Sequence, residues 1–367
     1  MDPAQRRFEA VRGCERQLSG LRPKSLREGI AALGEGSQDL DGRPDVYGNG
    51  VVETLEQRVA ELLGTEAAAF FPTGTMAQQV ALRCWSERTG DRTVAMHPLA
   101  HPELHERFAY AQLSGLRSVW PTTGRRMPTA DEIADFPEPF GTLFLELPLR
   151  EAGFLLPDWE DLVATVEAAR DRDAVVHFDG ARLWETVHHF KRPLPEVAGL
   201  ADSVYVSFYK TLGGISGAAL AGPEAYVAQA KTWRHRYGGQ LYQQWPVALS
   251  ALAGIERELP RLGEYVAQAK LVAGALAEAV AGVPGARVFP EPPHTQQFQL
   301  WLPFSADALN EAGVVLAERT RQSLFGTWRE PGLPGISQTE VTIAEPGLAW
   351  SARDVRIAVG EFLGLLG

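Results

Sequence analysis

Cysteine is scarce in this sequence. Only two of the 367 residues are cysteine, Cys14 and Cys84, which excludes a disulfide framework and the paired spacing of a zinc site. Long apolar runs are missing as well, since no segment approaches the roughly 20 residues that a membrane-spanning helix needs. The first residues, Met-Asp-Pro-Ala-Gln-Arg-Arg, lack the apolar core of a secretion signal. We therefore expect a cytoplasmic protein that has no membrane partner.

Positive charge is in deficit. The chain has 35 Lys and Arg against 46 Asp and Glu, a net charge of −11 at pH 7. Nucleic acids and anionic membranes attract clustered positive charge, so we expect no nucleic-acid partner. What is present is the composition of a well-cored globular protein, 45% hydrophobic and 22% charged. The length exceeds that of a usual single domain, which favours one large domain with a smaller one.

Apolar runs of strand length alternate with helical patterns through the first part of the chain. The strand candidates are residues 67–71, 117–120, 142–147, 174–178, 203–206 and 218–221. Helical spacing of apolar residues marks the segments 55–63, 76–85 and 159–170. Such alternation predicts an α/β domain whose mostly parallel sheet is covered on both faces.

The last part of the chain has a different order of elements. Helices are predicted over 246–255, 262–280, 306–319 and 352–366, and strands over 286–289, 296–302 and 338–343. This order favours a smaller α+β domain. We accordingly divide the chain into an N-terminal segment that packs on the rest (1–44), a large domain (45–250) and a small C-terminal domain (251–367).

Two chemically capable residues follow neighbouring apolar strands. Lys210 lies just past the run 203–206, where a glycine-rich turn begins, and Asp179 ends the run 174–178. A lysine that forms a Schiff base and an acid that pairs with a pyridinium nitrogen are the minimum protein equipment for pyridoxal phosphate chemistry. Taken singly, each has a plainer interpretation, as a surface lysine or a helix cap. Together they predict a pyridoxal phosphate site with Lys210 as a catalytic residue.

A phosphate site is predicted where Thr73-Gly74-Thr75 opens a helix after the strand 67–71. Backbone N–H groups at a helix N-terminus attract anions, although an ordinary capped helix has the same pattern. Ser207, three residues before Lys210, is a further candidate for a phosphate contact. Ligands of α/β sheets bind beyond the carboxyl ends of the strands, and these residues follow such ends.

Candidates for substrate contacts and proton transfer lie nearby. Arg182, three residues after Asp179, offers a planar guanidinium that suits a substrate carboxylate; a surface arginine at a helix start is the alternative. Three of the eight histidines, His97, His101 and His105, fall within nine residues. One imidazole could stack on a pyridine ring and a second could move protons. A metal site formed with neighbouring acids is compatible with this cluster, but we predict none.

These residues resemble the threonine aldolase / β-eliminating lyase family of fold-type I pyridoxal phosphate enzymes. The matching segments are Asp45-Val46-Tyr47-Gly48, Glu53-Thr54-Leu55-Glu56, Phe71-Pro72-Thr73-Gly74-Thr75-Met76-Ala77, His101, His177-Phe178-Asp179-Gly180-Ala181-Arg182-Leu183 and Lys210. They cover residues 45–250, and the remainder matches only in outline. The resemblance implies the fold-type I transferase fold, with a large, mostly parallel α/β domain and a small C-terminal α+β domain.

The resemblance also implies roles for single residues. Lys210 would carry pyridoxal 5'-phosphate, Asp179 would pair with its pyridinium nitrogen, and His101 would stack on its ring. The other implied contacts are Gly74 and Thr75 on the phosphate, Arg182 on a substrate carboxylate, and Tyr47 near the site of a neighbouring subunit. Family members cleave β-hydroxy-α-amino acids to glycine and an aldehyde, usually as dimers or tetramers, so we expect a small-molecule amino acid substrate and a homodimer or homotetramer with shared active sites.

Three segments depart from the family pattern on the substrate side. Pro23-Lys24-Ser25-Leu26-Arg27 stands where members carry a Ser-Asp-Thr type of segment, and Gln338-Thr339-Glu340 stands where they carry an arginine. Glu146-Leu147-Pro148-Leu149 replaces Glu-Asn-Thr-His. The histidine credited in the family with handling the β-hydroxyl proton is therefore missing from this chain.

A retro-aldol cleavage needs a base within reach of the β-hydroxyl. The candidates are His97, Glu103, His105 and a water molecule, and we assign catalytic roles to His105 and His101. The predicted activity is cleavage of the Cα–Cβ bond of a β-hydroxy-α-amino acid to a glycine-like amino acid and an aldehyde. β-Elimination, transaldol transfer and aminotransfer are the enzymatic alternatives. A catalytically silent binding protein of the same fold is the non-enzymatic one.

Overall fold

The computed structural model describes residues 2–34 and 40–367. Its strands are β1 (Arg16–Gln17), β2 (Ala67–Phe71), β3 (Thr93–Ala95), β4 (Arg117–Val119), β5 (Thr142–Glu146), β6 (Val175–Gly180), β7 (Ser203–Ser207), β8 (Ala218–Gly222), β9 (Arg287–Phe289), β10 (Gln297–Leu302), β11 (Gln322–Ser323) and β12 (Ser337–Thr342). Its helices are α1 (Pro3–Arg12), α2 (Leu26–Ala32), α3 (Val51–Leu63), α4 (Gly74–Thr89), α5 (His101–Leu104), α6 (Ala109–Ser114), α7 (Ala130–Ala134), α8 (Trp159–Arg170), α9 (Val187–Phe190), α10 (Leu194–Ala198), α11 (Glu224–Arg236), α12 (Trp245–Glu258), α13 (Leu262–Val280), α14 (Ala306–Thr320) and α15 (Ala352–Leu363). None of these helices combines the length and the apolar character that a bilayer crossing requires.

A seven-stranded sheet organises the larger part of the chain. Its strand order is β2-β8-β7-β6-β5-β3-β4, and the five strands from β7 to β4 run parallel. β8 is antiparallel to both β7 and β2, so β2 runs in the same direction as the parallel strands. The carboxyl ends of β2, β5, β6 and β7 therefore meet at one edge of the sheet. The predicted α/β fold with a mostly parallel sheet is confirmed.

Element boundaries differ from the prediction where polar side chains intervene. α4 begins two residues earlier than predicted because Thr73 Oγ1 accepts the N–H of Met76, at 3.2 Å, and so caps the helix. β6 and β7 run further than predicted, so Asp179 and Ser207 lie within the carboxyl ends of these strands instead of after them. The short strand β3 was not predicted, since three residues carry no usable period.

The chain separates into two compact units. One comprises residues 32–259, and the other comprises residues 1–31 together with 260–367. α12 packs against α3 and so belongs to the first unit. In the second unit β1 pairs in parallel with β11, and the antiparallel sheet β12-β10-β9 packs against α13, which gives the α+β character that the sequence predicts. The division at residues 44 and 250 stays a prediction.

Candidate active site

Three polar side chains form a row across the centre of the main sheet. The register pairs Glu146 on β5 with Asp179 on β6, and Asp179 with Tyr205 on β7, so the three side chains share one face. All three are buried. Asp179 Oδ1 accepts the N–H of Ala181 at 3.0 Å. Burial and the neighbouring charge of Asp179 raise the pKa of Glu146 above its usual range.

The first turn of α4 lies beside this row. The first backbone hydrogen bond of α4 runs from Ala77 N–H to Thr73 O, so the N–H groups of Gly74 and Thr75 precede it and have no intrahelical acceptor. A side chain at Gly74 would clash with the Tyr205 hydroxyl. The turn thus comes as close to β7 as a glycine permits, and it presents backbone donors of the kind that bind an anion.

Lys210 follows β7 by three residues, in a turn closed by the hydrogen bond from Gly214 N–H to Phe208 O at 2.8 Å. Gly213 has a φ of +65°, a conformation that favours glycine. Burial, and after it the positive charge of Arg182, lower the pKa of Lys210 to about 8 from 10.5. A substantial share of this amine is therefore neutral near neutral pH, which a nucleophilic amine requires.

Arg182 has no ion-pair partner among the described residues. Its Nε is buried without a hydrogen-bond acceptor. Its guanidinium carbon lies 5.2 Å from the centre of the Phe154 ring. Because Arg182 acts electrostatically on Lys210, the two lie in the same site. An arginine in this state has the capacity to bind a carboxylate through two parallel hydrogen bonds.

His101 opens α5 and is held at two points. Its backbone N–H donates to Glu146 Oε2 at 2.7 Å, which attaches the start of α5 to the carboxyl end of β5. Its Nδ1 lies 3.3 Å from Glu106 Oε1. Burial opposes a charged imidazole, yet Glu106 and Asp179 raise the pKa of His101 above its ordinary value. Because Glu146 is the register partner of Asp179, the hydrogen bond to Glu146 places His101 at the same edge of the sheet.

His105 lies next to His101, with the two ring centres 5.2 Å apart. Its Nε2 is 3.0 Å from Glu151 Oε1, and Glu151 Oε1 is also 3.4 Å from Arg150 Nη1. Arg150 N–H in turn donates to Glu146 at 3.2 Å. The loop after β5 lacks the histidine that the resemblance implies. Through Glu151 it instead contacts His105, the residue that follows α5.

Two of the candidate bases already form hydrogen bonds with groups outside the row. His97 Nδ1 accepts the N–H of Leu99 at 2.9 Å, so its Nε2 is the nitrogen that donates to Gly124 O, at 2.6 Å. Both ring nitrogens are thus occupied by backbone. Glu103 accepts a hydrogen bond from Trp120 Nε1 at 3.1 Å.

The structure also places the remaining predicted residues. Ser207 donates its hydroxyl proton to Ala181 O at 2.8 Å, so its role as a phosphate donor stays a prediction that would require this bond to break. Tyr47 is about half exposed and packs edge-on against Tyr242, with ring centres 5.5 Å apart. Within the described ranges, no group of three or more metal-ligating side chains is found.

Glu146, Tyr205, Glu106 and Glu151 were not predicted as site residues. The sequence could have identified Glu146, because this residue lies at the end of an apolar strand, as Asp179 does. The ends of neighbouring strands meet in a parallel sheet. Tyr205 had no such signal. It sits inside the apolar run of β7 and has the pattern of an ordinary core residue.

Comparison with known proteins decides the family. The model of the Beta-eliminating lyase family matches residues 41–299 of this chain. The chain belongs to the beta-eliminating lyase family. Among curated relatives, the low specificity L-threonine aldolase of Escherichia coli (strain K12) is 32% identical over 247 residues, which is 65% of this chain and 73% of the relative.

Two solved structures match this member of the family over nearly its whole length. A protein of Exiguobacterium sp. 255-15, assigned as an aromatic amino acid beta-eliminating lyase/threonine aldolase, has a TM-score of 0.89 at 35% identity, covering 98% of this chain and 99% of its own. A protein of Listeria monocytogenes EGD-E, assigned as an L-allo-threonine aldolase, has a TM-score of 0.88 at 34% identity, with coverage of 98% and 99%. The fold is that of the fold-type I pyridoxal phosphate enzymes.

Pyridoxal 5'-phosphate is the cofactor of this family member, and the site fits it. The row contains a buried acid, Asp179, for a pyridinium nitrogen. Lys210 has the lowered pKa of an amine that can react with an aldehyde. The cradle beside Gly74, which a Cβ would fill, supplies backbone donors for a phosphate.

Proposed function

We propose that this protein is a threonine aldolase-like lyase that cleaves the Cα–Cβ bond of a β-hydroxy-α-amino acid, releasing a glycine-like amino acid and an aldehyde. The observation that carries the proposal is the unpaired guanidinium of Arg182 beside Lys210 and Asp179. An amino acid whose amine replaces that of Lys210 on the cofactor would find a partner for its carboxylate in Arg182. The assignments of the related E. coli and L. monocytogenes proteins support the same reaction.

The bound cofactor supplies an electron sink for the bond that breaks at the substrate Cα. Asp179 would keep the pyridine nitrogen protonated through a charge-assisted hydrogen bond, and the imidazole of His101, held by Glu106, would stack on the ring. Gly74 and Thr75 would donate their N–H groups to the phosphate. Arg182 would orient the substrate through its carboxylate.

Cleavage requires that the β-hydroxyl lose its proton as its C–O bond becomes a carbonyl, which leaves the Cα–Cβ electron pair on Cα, where a proton completes the glycine-like product. We assign this proton to His105. When its Nε2 donates to Glu151, the lone pair of Nδ1 is left to accept a proton, and Glu151 stabilises the resulting cation. His97 and Glu103 are less suited, because each is already engaged by other groups.

The products test this proposal. The holoenzyme is incubated with threonine, allo-threonine and phenylserine, and glycine, aldehyde, ammonia and keto acid are measured. We expect glycine and aldehyde in equal amounts from at least one substrate. Ammonia with a keto acid would instead establish β-elimination, and a loss of substrate amine with no aldehyde would establish aminotransfer.

A matched pair of variants tests the base. His105→Gln should lower kcat for cleavage by about 100-fold, the lower end of what a general base contributes, while the cofactor absorption stays unchanged. His235→Gln is the control, since His235 is exposed and bonds Gln240. If His105→Gln turned over like the control, the assignment of the base would be wrong.

We further propose a cytoplasmic homodimer or homotetramer in which Tyr47 serves the site of a neighbouring subunit. The support is that Tyr47 is exposed although its backbone is fixed: its N–H donates to Tyr242 O at 2.9 Å. Mixed oligomers of Lys210→Ala and Tyr47→Phe chains should regain activity that neither homo-oligomer has. A lack of complementation in mixtures shown by native mass spectrometry to be hybrid would contradict shared sites.

A further inference from the structure

Tyr205 belongs to the buried row, and the proposed chemistry gives it no role. It is 3% exposed and lies in the middle of β7. Its register partner on β6 is Asp179, and its hydroxyl touches the backbone at Gly74, where α4 begins. A tyrosine hydroxyl buried in an apolar core costs free energy unless it has a partner. We therefore expect the Tyr205 hydroxyl to have a polar partner.

The surroundings of the hydroxyl are those of an anion site. On one side are the N–H groups of Gly74 and Thr75, at the positive end of α4, a helix of 16 residues. On another side, Tyr209 lies within hydrogen-bonding reach of Tyr205 and feels the positive charge of Arg182. Donors and positive charge thus converge near one oxygen atom.

The Tyr205 hydroxyl itself is kept in its protonated form. Burial, and then the charge of Asp179, raise the pKa of Tyr205 above its ordinary value. A protonated phenol is a hydrogen-bond donor, and a phosphate dianion is an acceptor only.

We propose that the Tyr205 hydroxyl donates a hydrogen bond to the phosphate of pyridoxal 5'-phosphate and completes the cradle begun by Gly74 and Thr75. Tyr205 is then a cofactor-positioning residue that is specific for the phosphate. The inference rests on the cofactor of the proposed function and not on which substrate bond breaks. It also explains the glycine at position 74, since a larger residue would displace the hydroxyl.

The test compares two cofactor forms that differ only in the phosphate. Apoprotein of the wild type, Tyr205→Phe and Tyr226→Phe is titrated with pyridoxal 5'-phosphate and with pyridoxal, and binding is followed by absorbance and by quenching of tryptophan fluorescence. Tyr226 is the matched control because it is a fully buried tyrosine of the same core cluster. Far-UV circular dichroism and thermal unfolding establish that each variant is folded.

We expect Tyr205→Phe to weaken binding of pyridoxal 5'-phosphate by about 10-fold or more, the effect of one hydrogen bond to a charged group. Binding of pyridoxal should stay unchanged, and Tyr226→Phe should bind both forms like the wild type. Equal weakening for both forms would place the hydroxyl at the pyridine ring or Asp179 and overturn the inference, as would no weakening at all. A wild type that binds neither form would instead refute the cofactor assignment.

Inorganic phosphate provides a second readout that is independent of the aldehyde. It should slow the capture of pyridoxal 5'-phosphate by occupying the cradle of the wild-type apoprotein, with an inhibition constant raised about 10-fold in Tyr205→Phe. Gly74→Ala should raise that constant in the wild-type background but much less in the Tyr205→Phe background, because the clashing oxygen is then absent. Additive effects of the two substitutions would contradict the shared site.

Discussion

The reactivity of Lys210 can be predicted quantitatively from its surroundings. Its pKa is lowered from 10.5 to about 8 by burial and, secondly, by Arg182. At pH 7.5 about a quarter of an amine with that pKa is neutral, against about one in a thousand for an unperturbed lysine. Only the neutral amine attacks the cofactor aldehyde, so the apoprotein should capture pyridoxal 5'-phosphate about 250-fold faster than an exposed lysine would.

The perturbation that tests this argument is Arg182→Gln. It removes the positive charge but leaves the burial of Lys210, so the midpoint of the pH profile should rise by about 1 pH unit. Capture at pH 7.5 should slow by about 10-fold as a consequence. Arg192→Gln is the control, because Arg192 is a surface residue paired with Glu196.

The assay is stopped-flow absorbance of apoprotein mixed with cofactor between pH 7 and pH 11. The reasoning predicts a rate that rises with pH through a midpoint near 8 in the wild type and in Arg192→Gln. A wild-type midpoint near 10.5, the ordinary value for lysine, would refute it. An unchanged midpoint in Arg182→Gln would show that burial acts alone.

Three further predictions concern the framework of the site. His177 is buried, and burial lowers its pKa to about 3 from 6.5. Its neutral form therefore contributes stability above pH 6.5 that is lost as the pH falls toward 3. In urea unfolding, His177→Gln should lose less stability than the wild type over this pH range, and an identical profile would contradict this. Arg234 and Glu56 form a buried ion pair, so Arg234→Met should lower the free energy of unfolding by about 3–5 kcal/mol, whereas Lys231→Met, whose partly exposed ammonium binds the same carboxylate, should cost about 0–1 kcal/mol. Equal losses of unfolding free energy in Arg234→Met and Lys231→Met would contradict this expectation. Gly74→Ala should weaken cofactor binding, measured by equilibrium dialysis. The unfolding temperature of the apoprotein should fall by no more than a few degrees. A large loss of apoprotein stability would show that the glycine serves the fold alone.

The fold was predictable from the sequence because its strands are long apolar runs set between helical patterns. β2, β5, β6 and β7 were all identified by such runs, and the ends of these strands give the edge at which ligands bind. Lys210, Asp179 and Gly74 lie at or just after such ends, so the sequence alone predicts that they come together. β3 was missed because it is short.

Side-chain commitments could not be predicted in the same way. His97 and His105 are alike in sequence, and only the structure shows that backbone groups occupy both ring nitrogens of His97 while His105 faces Glu151. Ser207 has the spacing of a phosphate ligand, yet its hydroxyl donates a hydrogen bond to Ala181 O. Such outcomes depend on which loop packs against which, and a linear pattern does not encode that.

Tyr205 illustrates a different limit. A tyrosine among valines and serines of a buried strand has the pattern of a core residue, and most of its ring is core. Only the strand register, which places it opposite Asp179, and the missing Cβ at Gly74 show where its hydroxyl lies. Both facts concern residues far apart in the chain.

The most direct test of the central claim is turnover of a β-hydroxy-α-amino acid, such as threonine, in deuterium oxide. If the Cα–Cβ bond breaks, the glycine formed at early times should carry one deuterium at Cα by mass spectrometry, in equal amount to an aldehyde without solvent deuterium on its carbonyl carbon. Ammonia and a keto acid carrying deuterium at Cβ, with no glycine, would contradict the account.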